Sequence, residues 1–91
     1  MAVTLDAPFE LHPQAAVRPE PFGALVYHYG TRRLVFLRKP EVLAVVEHLA
    51  EHNSVGEVLA ACGVAEQRWP SFMRALTSLE ESEIIRERTR H

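Results

Sequence analysis

Residues 48 to 52 read HLAEH, which spells H-x-x-E-H, the inverted zinc-peptidase signature. On a helix, His48 and His52 share a face, and Glu51 stands where a general base is needed; a third ligand must follow downstream. The downstream carboxylates Glu80, Glu81 and Glu83 belong to a helix end with no accompanying motif. Both histidines border an apolar stripe of Val42, Val45, Val46 and Leu49. They fall in the last turn of its helix, where a cation complements the helix dipole. A short string with two free positions is weak without its surroundings. HLAEH reads as a helix end, not as a zinc centre.

Other chemistry-bearing residues are as sparse. Cys62, the single cysteine, sits beside Val58 and Leu59 and reads as a small buried hydrophobe, because no acid–base partner stands near it. It also excludes an internal disulfide framework. His12 and His28 are lone histidines in or near strand-like runs, His91 is terminal, and no glycine-rich phosphate loop is present. The expectation is a non-catalytic chain with no metal ligands and no cofactor.

Composition narrows the class further. The 91 residues have room for one domain, and 47% hydrophobic with 24% charged residues is ordinary for a folded protein. A formal net charge of −2 gives no electrostatic footprint for nucleic acid. Of the ten basic residues nine are Arg and one is Lys39, a bias toward fork-shaped recognition of carboxylates. The opening MAVTLDAPFE lacks a basic n-region and an apolar h-region, and no apolar run reaches membrane-spanning length. A cytoplasmic protein is expected, without membrane contact.

The elements that position these residues divide into a β-rich front and a helical back. Four of the six prolines, Pro8, Pro13, Pro19 and Pro21, crowd residues 8–22, so a strand over Gln14 to Arg18 is expected to be short and at an edge. Two β-rich runs, Ala24 to Tyr29 and Arg33 to Arg38, flank Gly30-Thr31 and predict a tight hairpin. A two-residue turn sets Tyr27 against Leu34 and Leu25 against Phe36 on one face. Val26, Val35, Ala24 and Leu37 share the other. Both faces are largely apolar, which predicts a cover on each.

Pro40 opens a helix through His52, as a first-turn proline does. Ser54 with Glu57 forms a capping box for a second helix to Cys62, which Gly63 ends. A third helix spans Ala65 to Ser82 with Trp69, Phe72, Met73, Leu76 and Leu79 on one face. Ile84-Ile85 is expected to pack on the core. Residues 1–8 read as a flexible lead-in, 9–85 as one domain, and 86–91 as a charged, frayed tail. The fold class is α+β: a winged-helix-like β-β-β-α-α-α order, with a three-stranded antiparallel sheet on a three-helix bundle. That is a topology, not a function.

Two binding readings compete. SVGEVLAACGVAEQRWPSFMRAL has helix-turn-helix spacing, which gives a winged-helix DNA-binding regulator as the alternative. Its reading helix, however, shows Arg68 and Arg74 among Glu66, Glu80, Glu81 and Glu83, and DNA affinity rests on phosphate contacts. The other reading starts from the Arg33 to Arg38 strand. An apolar strand at a sheet edge is a hazard unless a peptide completes its ladder, with alternate side chains entering the strand–helix groove. The Val35 N–H is a candidate partner for such a backbone. Within the third helix Leu76 and Leu79 read as core, while Trp69, Phe72 and Met73 exceed what a small core needs from one helix.

The stretch ELHPQAAVRPEPFGALVYHYGTRRLVFLRKPEVLAVVEHLAEH, followed by GV and LTSLEES, resembles the PqqD-like RiPP recognition elements in their mycofactocin-biosynthesis branch. The resemblance covers residues 9 to 85, and RPEPFGALVYHYGTRRLVFL is its most specific part. It implies a non-catalytic peptide chaperone. Such proteins bind the leader of a ribosomally made precursor peptide and deliver it to a modifying enzyme, here a radical S-adenosylmethionine maturase that itself carries the iron–sulfur clusters. It further implies that the leader pairs with Leu34, Val35, Phe36, Leu37 and Arg38. The leader would lie against the helix bearing Trp69, Phe72, Met73 and Leu76. Arg33, Arg38 and Lys39 are candidate readers of leader carboxylates. Oligomeric state stays open, a homodimer included.

Overall fold

The computed structural model describes residues 3–88. Five strands and three α-helices form in it. The strands are β1 (Phe9–Leu11), β2 (Ala15–Glu20), β3 (Gly23–His28), β4 (Leu34–Leu37) and, at the end of the chain, β5 (Ile85–Glu87). The helices are α1 (Pro40–His48), α2 (Val55–Ala61) and α3 (Trp69–Glu81). The class is α+β, with a three-stranded antiparallel sheet in the order β2-β3-β4 and three helices. A second sheet was not expected: β1 pairs antiparallel with β5, Phe9 opposite Glu87 and Leu11 opposite Ile85.

That small sheet changes the reading of both ends. Ile84 and Ile85 are fully buried, as expected, and they bring residues 86–88 with them instead of leaving a frayed tail. Arg86 pairs with Glu10 at 2.7 Å, and the Arg88 guanidinium donates to the carbonyls of Ala50 and His52. At the other end, residues 3–8 carry ordered contacts: Val3 is buried, and Val55 and Gly56 donate N–H groups to Ala7 and Leu5. Residues 89–91, the rest of the expected tail, lie outside the described residues.

Helix boundaries follow the local chemistry. Pro40 occupies the first turn of α1, where its missing N–H costs nothing. Ser54 Oγ accepts the Glu57 N–H at 3.2 Å and caps α2. Gly63, at φ 75°, ends α2, and the Val64 N–H reaches back to the Leu59 carbonyl. α1 stops at His48, earlier than the sequence pattern suggests. Leu49–Glu51 is a 3-10 turn and His52 is extended, so the HLAEH histidines do not share an α-helical face. His48 Nδ1 instead meets Glu51 Oε1 at 3.0 Å. Among the described residues, no group of three or more His, Cys, Asp or Glu is placed to hold a metal, and no helix is long and apolar enough to cross a membrane.

The core lies between the inner sheet face and the helices. Val26 from β3 joins Val42, Val45 and Val46 of α1, Val55, Val58 and Leu59 of α2, and Phe72, Leu76 and Leu79 of α3 in one cluster, and Ala24 beside it is fully buried. Val35 and Leu37 of β4 pack against this cluster from its margin. The described residues do not cover the other face of β4 as expected: Leu34 and Phe36 are 62% and 42% exposed, while Leu25 and Tyr27 beside them are half-buried.

Candidate functional site

The β3–β4 hairpin keeps the expected register. Tyr27 opposes Leu34, Leu25 opposes Phe36, and Val26 opposes Val35. Its connection is longer than a two-residue turn. The His28 N–H donates to the Arg33 carbonyl, and the Arg32 N–H donates to the His28 carbonyl, so two residues of one strand oppose one of the other. This is a bulge, with Arg32 at φ 63° in its left-handed position. His28 holds it from inside. Its buried Nδ1 accepts the N–H groups of Gly30 and Thr31, each at 3.0 Å. The imidazole proton therefore resides on Nε2, which is buried and finds no acceptor among the described residues.

Ladder parity follows from that bulge. His28 and Arg33 form a hydrogen-bonded pair, and alternation makes Val26/Val35 and Ala24/Leu37 the next two. The Leu37 carbonyl faces Gly23 so closely that a Cβ there would stand 2.1 Å from its oxygen, which is why glycine begins β3. The Val35 N–H is thus turned to β3 and is not the group open to a peptide. Leu34 and Phe36 direct their N–H and C=O groups away from the sheet. Among the described residues no strand pairs with that side of β4.

Beside this edge lies a groove of about 270 Å³. Phe36, Leu37, Val42, Phe72 and Ala75 give it an apolar lining; Arg38, Lys39, Arg68 and Ser71 give it a polar mouth. β4 and the starts of α1 and α3 all meet there. Lys39 and Arg68 stand at the N-cap positions of these helices, and neither side chain has an acceptor with which to cap them. Arg68 pairs with Glu41 in the first turn of α1, and its guanidinium carbon lies 5.3 Å from the centre of the Phe72 ring.

The residues expected to bind peptide therefore do not share one setting. Phe36, Leu37, Arg38 and Phe72 line the groove. Leu34 and Arg33 are exposed on or beside the strand, outside the groove, and Val35 backs it from the core side. Trp69 is half-buried and donates its indole N–H to the Val64 carbonyl at 2.9 Å, fixing the loop before α3. Met73 is half-buried against the core beside a shallow hollow formed with Arg74, Thr77 and Glu81, while Leu76 is fully buried. Lys39, expected as a carboxylate reader, lines the groove too, and Arg68 with its partner Glu41 joins the site through the fold. The one sequence signal for them is that each sits at a helix start.

Two titrating groups elsewhere are perturbed. His12, its ring 4.3 Å from that of His28, has its pKa lowered by partial burial and then by His28 and Arg86, against opposing pulls from Glu83 and Glu10. Burial, and then Glu51, push the Cys62 thiol above its ordinary pKa, which lowers its thiolate fraction.

The profile of the peptide chaperone MftB family matches residues 8–86, from β1 to the second residue of β5, and so takes in the edge and the groove. The chain belongs to that family. It is 46% identical over 80 residues to the peptide chaperone MftB of Mycolicibacterium smegmatis, covering 88% of this chain and 78% of the relative. The Mycobacterium tuberculosis peptide chaperone MftB is 44% identical over 80 residues, covering 88% of this chain and 73% of its own. The Mycobacterium ulcerans protein of the same name stands at 46% with the same two coverages. No solved structure matches the chain. The family match takes in β1 and the first two residues of β5, the small strands that the local pattern hides.

Proposed function

We propose that this chain is a non-catalytic, cytoplasmic peptide chaperone of mycofactocin biosynthesis. It binds the leader of a ribosomally made precursor peptide and delivers it to a radical S-adenosylmethionine maturase. Membership of the peptide chaperone MftB family supports the chaperone role. The mode of binding is strand addition on β4. The leader backbone hydrogen-bonds to Leu34 and Phe36, and alternate side chains enter the groove between Phe36 and Phe72. Arg38 and Lys39 flank the incoming strand, and Leu37 and Val42 sit beneath it. A winged-helix-like, PqqD-like arrangement is the topology this proposal assigns.

One observation carries this reading: β4 is a sheet edge with outward ladder groups running beside an apolar groove. A strand left this way is a template for another chain. Amide hydrogen exchange tests it. Adding the leader half of the precursor should slow exchange at Leu34 and Phe36 and leave Val35, already in the ladder, unchanged. Protection confined to α3, with β4 unaffected, overturns strand addition. A maturation assay with and without the protein tests delivery: turnover independent of it overturns that part.

A further inference from the structure

We infer that the cations bordering the groove read a carboxylate, and that Glu41 holds one of them, Arg68, from the neighbouring hollow until the peptide arrives. This rests on the peptide-binding reading above and adds the chemistry of the segment bound. Three cations, Arg38, Lys39 and Arg68, border one apolar groove that no carboxylate among the described residues lines, and Arg68 is paired at 2.5 Å with Glu41, which belongs to the neighbouring hollow with Pro40, Ala44 and Cys62. Lys39 is also the N-cap residue of α1, with no side-chain cap on that helix, whereas α3 continues from the 3-10 turn Glu66–Arg68. A helix N-terminus carries partial positive charge, usually offset by a capping acceptor, which Lys and Arg lack. The cations beside the groove thus favour an anion, and among the described residues the one shown paired with any of them is Glu41.

Glu41 is suited to being displaced. Its side chain and that of Arg68 are both about half exposed, so their pairing is screened by water and cheap to exchange. Arg68 keeps its place without Glu41, because its guanidinium also lies against the Phe72 ring and that ring is buried. An extended acidic segment can therefore set an apolar side chain between Phe36 and Phe72 while its own Asp or Glu replaces Glu41 on Arg68. The leader fitted by this site is apolar and acidic in close succession. A basic or neutral polar segment is rejected.

The test uses the full chain and two fluorescein-labelled probes: the leader of a mycofactocin precursor peptide, and its twin with every Asp and Glu replaced by Asn and Gln. Wild-type protein should bind the twin about tenfold more weakly than the leader, and only the leader's binding should weaken with salt. Glu41→Gln should tighten the leader about threefold and leave the twin unchanged. The same substitution on an Arg68→Gln background should change neither. Arg68→Lys, which keeps the charge, should retain more affinity than Arg68→Gln. Equal binding of leader and twin, or a Glu41→Gln variant that binds leader no better, overturns the inference. Phe36→Asp separates the layers. If it removes binding of both probes while leader and twin bind wild type equally, the groove stands and carboxylate reading falls. If it leaves both unchanged, the groove itself falls.

Discussion

Val35 lies directly opposite Val26, in a hydrogen-bonded pair of the β3–β4 ladder. Its neighbours Leu34 and Phe36 therefore hold the open side of the strand, and the two sets of residues answer differently to proline.

Val35→Pro removes a ladder N–H inside the sheet and should lower stability by about 1–3 kcal/mol. Leu34→Pro removes an outward N–H from an edge strand, where proline is tolerated. Thermal melts followed by circular dichroism should show a clear drop for the first and little for the second. Titration with leader should show the reverse ranking for binding by the folded fraction. If both variants melt alike, the ladder parity is wrong.

Phe36→Asp and Leu76→Ala separate binding from folding on facing elements. Phe36 is 42% exposed, so its change should spare the fold and cut leader affinity by about tenfold or more. Leu76 is fully buried, and truncation should cost about 2–5 kcal/mol of stability. Leader affinity measured well below the melting temperature should change little. A Leu76→Ala protein that is stable but no longer binds leader would place Leu76 in the site instead.

His28 anchors the turn that starts β4. Replacing it by Leu orphans the Gly30 and Thr31 N–H groups, at a cost of about 1 kcal/mol or more. Exchange at those two amides should accelerate, and His28→Asn, which restores an acceptor, should recover part of the loss. Unchanged amide exchange in His28→Leu counts against the anchoring role.

His12 should make the fold acid-sensitive. Its folded-state pKa lies below the ordinary value of about 6.5, so the unfolded chain binds more protons between those two values. Stability is then fully present above pH 6.5 or so, falls as pH drops through that window, and levels off below the folded-state pKa. In His12→Asn, which keeps an acceptor for the Gln14 N–H, melting temperature should vary less with pH across that range. A mutant profile parallel to wild type assigns the acid sensitivity elsewhere.

Much of this could be read from local pattern. The apolar alternation of residues 24–37 gave the hairpin register, because side chains alternate strictly across a strand. It did not say which face is core, since Val35/Leu37 and Leu34/Phe36 are similarly greasy; the docking of α1 and α3 decides that. β1 and β5 stayed hidden because each is three residues long and their partners lie at opposite ends of the chain. On α3, one wheel stripe holds Phe72, Leu76 and Met73, yet the groove, the core and the outer flank each take one. Helical spacing names neighbours on a cylinder but not what stands opposite them. The Arg68–Glu41 pair joins residues from two helices and has no local signature at all.

The charges around β4 also bear on what the open edge refuses. Two copies meeting edge to edge in antiparallel fashion must match outward residues. Centred on Val35, that register sets Arg32 against Arg38; centred on Phe36, it sets Arg33 against Lys39. Like charges directly across a ladder oppose pairing. On the strand-addition reading proposed above, the same charges that invite an acidic segment therefore weigh against β4 pairing with a second copy of itself.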